Sequence, residues 1–389
     1  MKSVSVFGVT GSIGCTAVKI LLNQSDSFSV DVVTGGANVD LLAHTAIKLQ
    51  AKHAVIADDA LYDALKTALT DHPIQVSAGR QALLDAADRA VDISLQGIVG
   101  FAGVECSLRA AKSAKILALA NKESLVCAGP LLNSICAENG TKLLPVDSEH
   151  SAIFQCLLGE RADSIERVIL TASGGPFLNT PISDLKNVTA DQAAAHPRWS
   201  MGKRISIDSA SMFNKAMELI ETKELFNVTP SKLEVVIQPQ SIIHSMVGFC
   251  DGAIMAHLGP ADMAGAIGYA MNYPDRVHAP LERLDFAKLG RLDFAQVDRE
   301  KFPAIDLAFQ AMAQGGLAGA VFNASKEQAL DLFLDGEIGF LDMALCVEKA
   351  LNDYASSDDD GDISLPAIIA QDHATRAFVK MSAKGVSDV

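Results

Sequence analysis

The segment Val146-Asp147-Ser148-Glu149-His150 sets two carboxylates two residues apart, directly after Lys142–Val146, which reads as a buried strand. In a loop at that spacing both can turn oxygens toward one cation, although Asp147 or Ser148 can equally cap a helix starting near His150. A third acid comes from Asp208–Ile220. Read as one helix, this stretch places Ser211, Asn214, Lys215 and Glu218 at i, i+3, i+4 and i+7, a single narrow polar stripe. Met212, Phe213, Ala216, Met217, Leu219 and Ile220 cover the rest of its circumference. The alternative is a solvated stripe with one Lys–Glu pair, but a solvated face is normally broad and repeats its charges. Asp147, Glu149 and Glu218, with no cysteine among them, make a hard-oxygen set suited to Mg²⁺ or Mn²⁺ rather than zinc.

An anion site is suggested beside these acids. Thr171-Ala-Ser173-Gly174-Gly175-Pro176 follows another strand-like run and has the composition of a phosphate nest. By itself it is a turn; with Ser209, Asn214 and Lys215 it forms a cradle for a monoester phosphate. The stretch from Asn179 to Gly202 reads as a long irregular loop, a length usually reserved for function or disorder. It carries His196, Met201 and the chain's only tryptophan, Trp199. It reads as a lid that excludes water, or else as a surface excursion whose Trp packs on the core. Asn121-Lys122-Glu123 follows the strand-like Ile116–Ala120, at the end of a strand where α/β sheets bind ligands; the plain alternative for Lys122 is a helix-start lysine.

The third chemical signal is Gly8-Val9-Thr10-Gly11-Ser12-Ile13-Gly14, between the first strand and the first helix. Glycines let backbone N–H groups approach a pyrophosphate, and a helix N-terminus adds a favourable field. The spacing is G-x-x-G-x-x-G rather than the commoner G-x-G-x-x-G. The second strand runs out at Gly35-Gly36-Ala37-Asn38 with no acid at its tip, and Asp31 lies inside the strand. A 2′-phosphate is therefore not repelled, which favours NADP over NAD, although no Arg or Lys stands there to pair with it.

These residues need a scaffold. Val4–Gly8, Ser29–Thr34, Ala54–Ala57, Val91–Leu95, Ile116–Ala120 and Lys142–Val146 read as buried strands. Asp58–Leu69 and Lys122–Glu138 are among the helices between them. Such alternation predicts a doubly wound, mostly parallel, Rossmann-like α/β domain over 1–147. An α+β central domain over 148–275 includes the strand-like Arg167–Thr171, Glu234–Ile237 and Ile254–Leu258 and the candidate lid over 179–202. Residues 276–302 form a linker whose two RLDFA copies, Arg283–Ala287 and Arg291–Ala295, read as strands. Residues 303–389 form a small helical domain, broken by the acidic loop Ser356–Asp362. A chain of 389 residues needs such a division, because one core does not grow to that size.

The formal net charge of −15 argues against a nucleic-acid partner and requires any anionic substrate to be drawn in by local cations and helix N-termini. Seven scattered cysteines without a C-x-x-C pair point to a reducing cytoplasm. No apolar run reaches membrane-spanning length, and Ser3 begins strand-like sequence with no signal or transit pattern ahead of it.

Together GVTGSIG, ANKESLV, VDSEH, SGGPF, HPRWSMG, SIDSASMFNKAMELIE, PQSIIHSMV with DGA, and the later DM strongly resemble the 1-deoxy-D-xylulose 5-phosphate reductoisomerase family, collinearly over residues 1 to about 275. The resemblance implies an NADPH domain, a central catalytic and dimerising domain, and a homodimer. It implies rearrangement of a 2-ketose phosphate and reduction of the resulting aldehyde to 2-C-methyl-D-erythritol 4-phosphate, on the non-mevalonate route to isoprenoid precursors. Carried onto this chain, it implies cofactor contacts from Thr10, Gly11, Ser12, Ile13, Gly36, Ala37, Asn38, Asn121, Glu123 and Gly202. Metal would be held by Asp147, Glu149 and Glu218. Sugar contacts would come from Lys122, Ser148 and Glu149, and phosphate contacts from Ser173, Ser209, Asn214 and Lys215. His196, Trp199 and Met201 would ride on the lid, with Lys122, Glu149 and His196 as the catalytic candidates. Family members often carry Lys or Arg where this chain has Ala37, so a weaker preference for NADPH over NADH is expected.

Overall fold

The computed structural model describes residues 1–195, 202–355 and 363–383. The chain divides into two compact units, one of Met1–Ser124, Leu131–Ser151 and Asp262–Glu282, the other of Leu125–Pro130, Ala152–Ala261 and Arg283–Val389. The helices after residue 303 therefore share a unit with the central sheet, and residues 262–282 go with the N-terminal sheet, a grouping different from the three successive domains drawn from the sequence.

The first unit is built on seven parallel strands: β1 (Lys2–Phe7), β2 (Phe28–Gly35), β3 (His53–Ile56), β4 (Gln75–Ala78), β5 (Val91–Gln96), β6 (Ala114–Leu119) and β7 (Lys142–Pro145). Their order is β4-β3-β2-β1-β5-β6-β7. Val4, Ser5, Val6 and Phe7 of β1 are all buried, as expected for a central strand covered by helices on both faces. Strand order reverses at β1, which pairs with β2 on one side and β5 on the other. That reversal opens a crevice at the C-terminal edge of the sheet, where doubly wound folds take their ligands. The helix Ala264–Asn272 packs on the helix Ser12–Asn23 that comes after β1.

In the second unit the strands are β8 (Ile165–Ala172), β9 (Leu233–Ile237), β10 (Ile243–Phe249), β11 (Ile254–Leu258) and β12 (Ala295–Gln296), in the order β11-β10-β8-β9-β12. β8 and β9 run parallel, while the remaining pairs are antiparallel. Helices Ala304–Gln314, Ala318–Leu334, Asp342–Ala355 and Leu365–Ser382 complete the unit. The Phe213–Phe322 ring contact, centroids 5.9 Å apart, joins the helix Phe213–Phe226 to the buried helix Ala318–Leu334. The expected α/β, α+β and helical elements are all present.

Several local expectations need correction. β4 and β10 fall outside the strand-like runs picked out in the sequence. The stretch 179–202 is not wholly irregular: it holds short helices at Ile182–Leu185 and Ala190–Ala193, the second with a Thr189–Gln192 capping box. The first RLDFA copy is no strand. Asp285 accepts from the N–H groups of Ala287 and Lys288 and starts the helix Phe286–Leu289, whereas the second copy enters β12 only at Ala295. The same five residues thus take different structures in different contexts, with KLG after one copy and QVD after the other.

Candidate active site

Four of the expected ligand-binding segments leave the first sheet at one edge, after β1, β2, β6 and β7. At the glycine turn after β1, Gly8 has a φ of +81°, and a side chain there would come within 2.7 Å of the Gly97 carbonyl oxygen. At Gly14 it would come within 2.3 Å of the Gly8 oxygen, so helix and strand pack only because that position is bare. Gly11 differs: a Cβ there meets only the Gly8 oxygen at 3.4 Å, an ordinary contact. Thr34 ties the turn to β2, accepting from Gly8 N–H at Oγ1 (2.9 Å) and from Val9 N–H at its carbonyl (2.8 Å). The helix Ser12–Asn23 then starts with no side-chain cap and no acid in its first turn. An uncapped first turn offers backbone donors and the positive end of the helix dipole to an anion.

Gly36, Ala37 and Asn38 are exposed at the tip of β2. Asn38 spends its side-chain oxygen on the Leu41 N–H at 3.0 Å, capping the next helix. Asp31 is committed inside the sheet to Arg89 (2.6 Å) and Lys52 (3.3 Å), and the Arg89 hydrogen bond holds its carboxyl below the usual range. The β2 tip thus carries no acid to meet a ribose phosphate.

After β6, Asn121 caps the helix Lys122–Asn139 by accepting from Ser124 N–H at 2.9 Å. Its amide donates to the carbonyls of Ile98 and Gly100 and to Glu123 Oε2, at 2.7, 3.0 and 2.7 Å. The Asn121 side chain is thus a buried brace that joins the loop after β5 to Glu123. After β7 Asp147 takes the capping role. Its Oδ1 accepts from Glu149 N–H at 3.3 Å at the start of the helix Ser148–Cys156, while Oδ2 pairs with Lys122 and lies 3.9 Å from His150 Nδ1. Ser148 Oγ donates to Glu149 Oε2 at 2.5 Å. Lys122, Asp147, Ser148 and Glu149 are gathered as expected. His150, fully buried, belongs to the same motif but carries no role in the sequence reading; its i+3 spacing from Asp147 is the available signal.

The second unit holds the rest. The turn after β8 has Gly174 at φ +87° and Gly175 at +62°, with Gly175 N–H donating to Ser173 Oγ at 3.2 Å. A Cβ on Gly175 would lie 3.0 Å from the Ser209 carbonyl oxygen, so the Ser173 turn rests against the backbone of Ser209. Asp208–Ile220 is not one helix. Lys203–Ala210 ends, Met212 takes a φ of +63°, and Phe213–Phe226 begins. Ser211 therefore leaves the polar stripe, and its hydroxyl donates back to Ile207 O at 2.8 Å. Asn214, Lys215 and Glu218 remain together: Asn214 donates to Glu218 Oε1 at 2.6 Å and Lys215 pairs with Oε2. Lys215 is 4% and Glu218 1% exposed, which rules out a solvated stripe. Gly202 is exposed and precedes the helix Lys203–Ala210. His196, Trp199 and Met201 lie outside the described residues. Asp208 and Glu221, both well buried, carry no distinguishing pattern in the sequence.

Residues 4–129 match the family model for 1-deoxy-D-xylulose 5-phosphate reductoisomerase, 143–226 that for the C-terminal domain of the same enzyme, and 258–378 a further C-terminal domain of DXP reductoisomerase. A 1-deoxy-D-xylulose 5-phosphate reductoisomerase from Cereibacter sphaeroides is 51% identical over 387 residues, 98% of each chain. The chain belongs to the 1-deoxy-D-xylulose 5-phosphate reductoisomerase family. A reductoisomerase from Ruegeria sp. is 50% identical over 90% of this chain and 89% of its own. Among solved reductoisomerase structures, that from Zymomonas mobilis in complex with NADPH superposes with a TM-score of 0.92 at 43% identity, covering 98% of both chains. Another, in complex with NADPH, fosmidomycin and magnesium, gives 0.93 at 35% identity over 99% of this chain and 98% of that one.

Proposed function

We propose that the chain carries out the reaction of its family, isomerising 1-deoxy-D-xylulose 5-phosphate and reducing the product with NADPH to 2-C-methyl-D-erythritol 4-phosphate, with Mg²⁺ or Mn²⁺, in isoprenoid precursor synthesis. The observation that carries this reading is the buried Asn214–Lys215–Glu218 face. On that helix a part-buried amide and a buried ammonium converge on one buried carboxylate, the donor and acceptor types that a phosphate and a hard cation recruit.

Each bound group fits what the chain offers. For the dinucleotide there is the uncapped helix after Gly11, a Gly11 whose bareness the chain's own packing does not require, and a β2 tip free of acid. Thr10, Gly11, Ser12, Ile13, Gly36, Ala37, Asn38, Asn121, Glu123 and Gly202 would contact it, with Asn121 also bracing Glu123. For the metal, Asp147, Glu149 and Glu218 supply hard oxygens. Thiol ligation is disfavoured, since burial pushes Cys106, Cys136, Cys156 and Cys346 up to about 11. NADPH supplies hydride, and the divalent cation supplies Lewis-acid polarisation of neighbouring carbonyl and hydroxyl oxygens.

The chain's own groups do the rest. Ser173, Ser209, Asn214 and Lys215 hold the phosphate, so that binding energy far from the reacting carbons fixes their position. Ser148 holds a sugar hydroxyl, and Lys122 and Glu149 move the proton at the substrate hydroxyls. His196, Trp199 and Met201 close over the substrate and keep water from the reactive aldehyde. The functional division this uses is 1–147 for cofactor, 148–275 for catalysis, 276–302 as linker and 303–389 as a helical buttress.

A homodimer in the cytoplasm is the fitting assembly. β11 is an edge strand whose Ile254 and Met255 are exposed, a combination that invites pairing with a second copy. Among the described residues no helix is long and apolar enough to cross a membrane. The test of function is NADPH consumption with 1-deoxy-D-xylulose 5-phosphate and Mg²⁺, with the polyol phosphate identified. No consumption, or consumption without rearranged carbon, defeats the reading.

A further inference from the structure

We infer that Lys326 and Asp208 are positioning residues for the substrate phosphate, holding the short helix Lys203–Ala210 in the rotation that presents Ser209. This rests on the proposed function, in which Ser209, Asn214 and Lys215 hold that phosphate. Lys326 Nζ lies 3.0 Å from Asp208 Oδ2, and the side chains are only 5% and 13% exposed. The two residues are 118 positions apart, so the pair joins distant parts of the chain. One turn before Asp208 on the same helix, Arg204 pairs with Asp331 at 2.5 Å, and Asp331 lies on the helix that carries Lys326. Two ion pairs at i and i+4 fix both the axial position and the rotation of Lys203–Ala210. The outer pair is about half exposed on the Arg204 side and contributes less than the buried one.

Rotation is what Ser209 depends on. Successive residues of an α-helix point about 100° apart, so anchoring Asp208 sets the direction of its neighbour. The Ser209 backbone lies against the Ser173 turn. Three residues later the chain turns through Met212 at φ +63° into the helix bearing Asn214 and Lys215. A helix of only eight residues that ends at that left-handed turn has little stiffness of its own.

Lys326 is itself held in a wider polar network. On the same buried helix Glu327 accepts from Arg376 at 2.6 Å, and Arg376 also binds Asp372 at 2.8 Å. Burial raises the Glu327 carboxyl, but Lys326 and Arg376 outweigh it and hold it below its usual value, so the cluster stays charged. The C-terminal helices thereby bear on the proposed phosphate cradle through charged contacts.

The test is the double variant Asp208→Leu/Lys326→Met, which removes both charges together and leaves neither buried alone. Its expected signature is a KM for 1-deoxy-D-xylulose 5-phosphate raised on the order of tenfold, with kcat changed much less and the KM for NADPH unchanged. Inhibition by inorganic phosphate weakens in parallel. If the apolar pair does not fold, Asp208→Glu, which keeps the charge but displaces it by one methylene, should show the same split. An unchanged sugar-phosphate KM, or equal rises in both KM values, overturns the inference. Lys215→Ala separates the two readings. Should it leave the sugar-phosphate KM unchanged, the cradle itself is misassigned; should it raise KM while the double variant does not, only the role of Asp208 and Lys326 falls.

Discussion

Lys215 and Glu218 form a buried ion pair one turn apart on the helix Phe213–Phe226, and Asn214 donates to the other oxygen of the same carboxylate at 2.6 Å. Under the proposed function, the same helix face would serve a phosphate through Lys215 and a divalent cation through Glu218. Glu218→Gln keeps a side-chain oxygen for Lys215 and removes the charge. Stability should fall by about 1–3 kcal/mol, while turnover falls at least ~100-fold. Tight NADPH binding measured by fluorescence should survive. Full turnover at ordinary Mg²⁺ removes Glu218 from the chemistry.

The glycine turn makes a paired prediction. Gly14→Ala places a methyl group 2.3 Å from the Gly8 oxygen, and overpacking of this kind costs about 1–3 kcal/mol. Gly11→Ala fits, so its melting temperature should stay near that of the parent. If the turn cradles a pyrophosphate, the same Gly11 variant raises the KM for NADPH about tenfold. Equal KM values for variant and parent mean that the glycine has no ligand to accommodate.

Ala37 is exposed at the tip of β2, where a 2′-phosphate is read in folds of this kind. Ala37→Arg supplies the cation that the position lacks and should lower the KM for NADPH about three- to tenfold, leaving that for NADH alone. A parallel change for both cofactors would place the 2′-phosphate elsewhere.

Acid stability follows from the depressed carboxyls. Arg89 holds Asp31 below its ordinary value of 3.8, and Lys326 with Arg376 holds Glu327 below 4.5 against the effect of burial. A carboxyl whose folded pKa is lowered stabilises the fold fully above its unfolded value and loses that contribution as pH falls through the folded one. Thermal melts should therefore show Arg89→Gln less stable than the parent at pH 7, with the gap closing below pH 3.8. A gap independent of pH would mean that Arg89 acts through packing alone.

Much of the fold and of the site is legible in the residues. Six of the seven parallel strands announce themselves as apolar runs because a strand covered on both faces must be apolar. β4, Gln75–Ala78, lies at the sheet edge, and its QVSA carries no such run. The carboxylates, the lysines and the glycine turn are visible as types and spacings. The left-handed residue at Met212 is not, since methionine gives no sign of a positive φ, and so a continuous helix misplaces Ser211. Likewise nothing in the sequence around Asn121 shows that its amide donates to Ile98, Gly100 and Glu123. The partnership of Asp208 with Lys326 joins residues too far apart for any local pattern to reveal.

The central claim is that Asp147, Glu149 and Glu218 share one divalent cation. The most direct measurement is Mn²⁺ binding by calorimetry in the presence of NADPH, for the parent chain and for Asp147→Asn, Glu149→Gln and Glu218→Gln. Each variant should bind Mn²⁺ at least ~10-fold more weakly, because each removes a charged oxygen donor. Parent-like binding by Glu218→Gln would contradict the account.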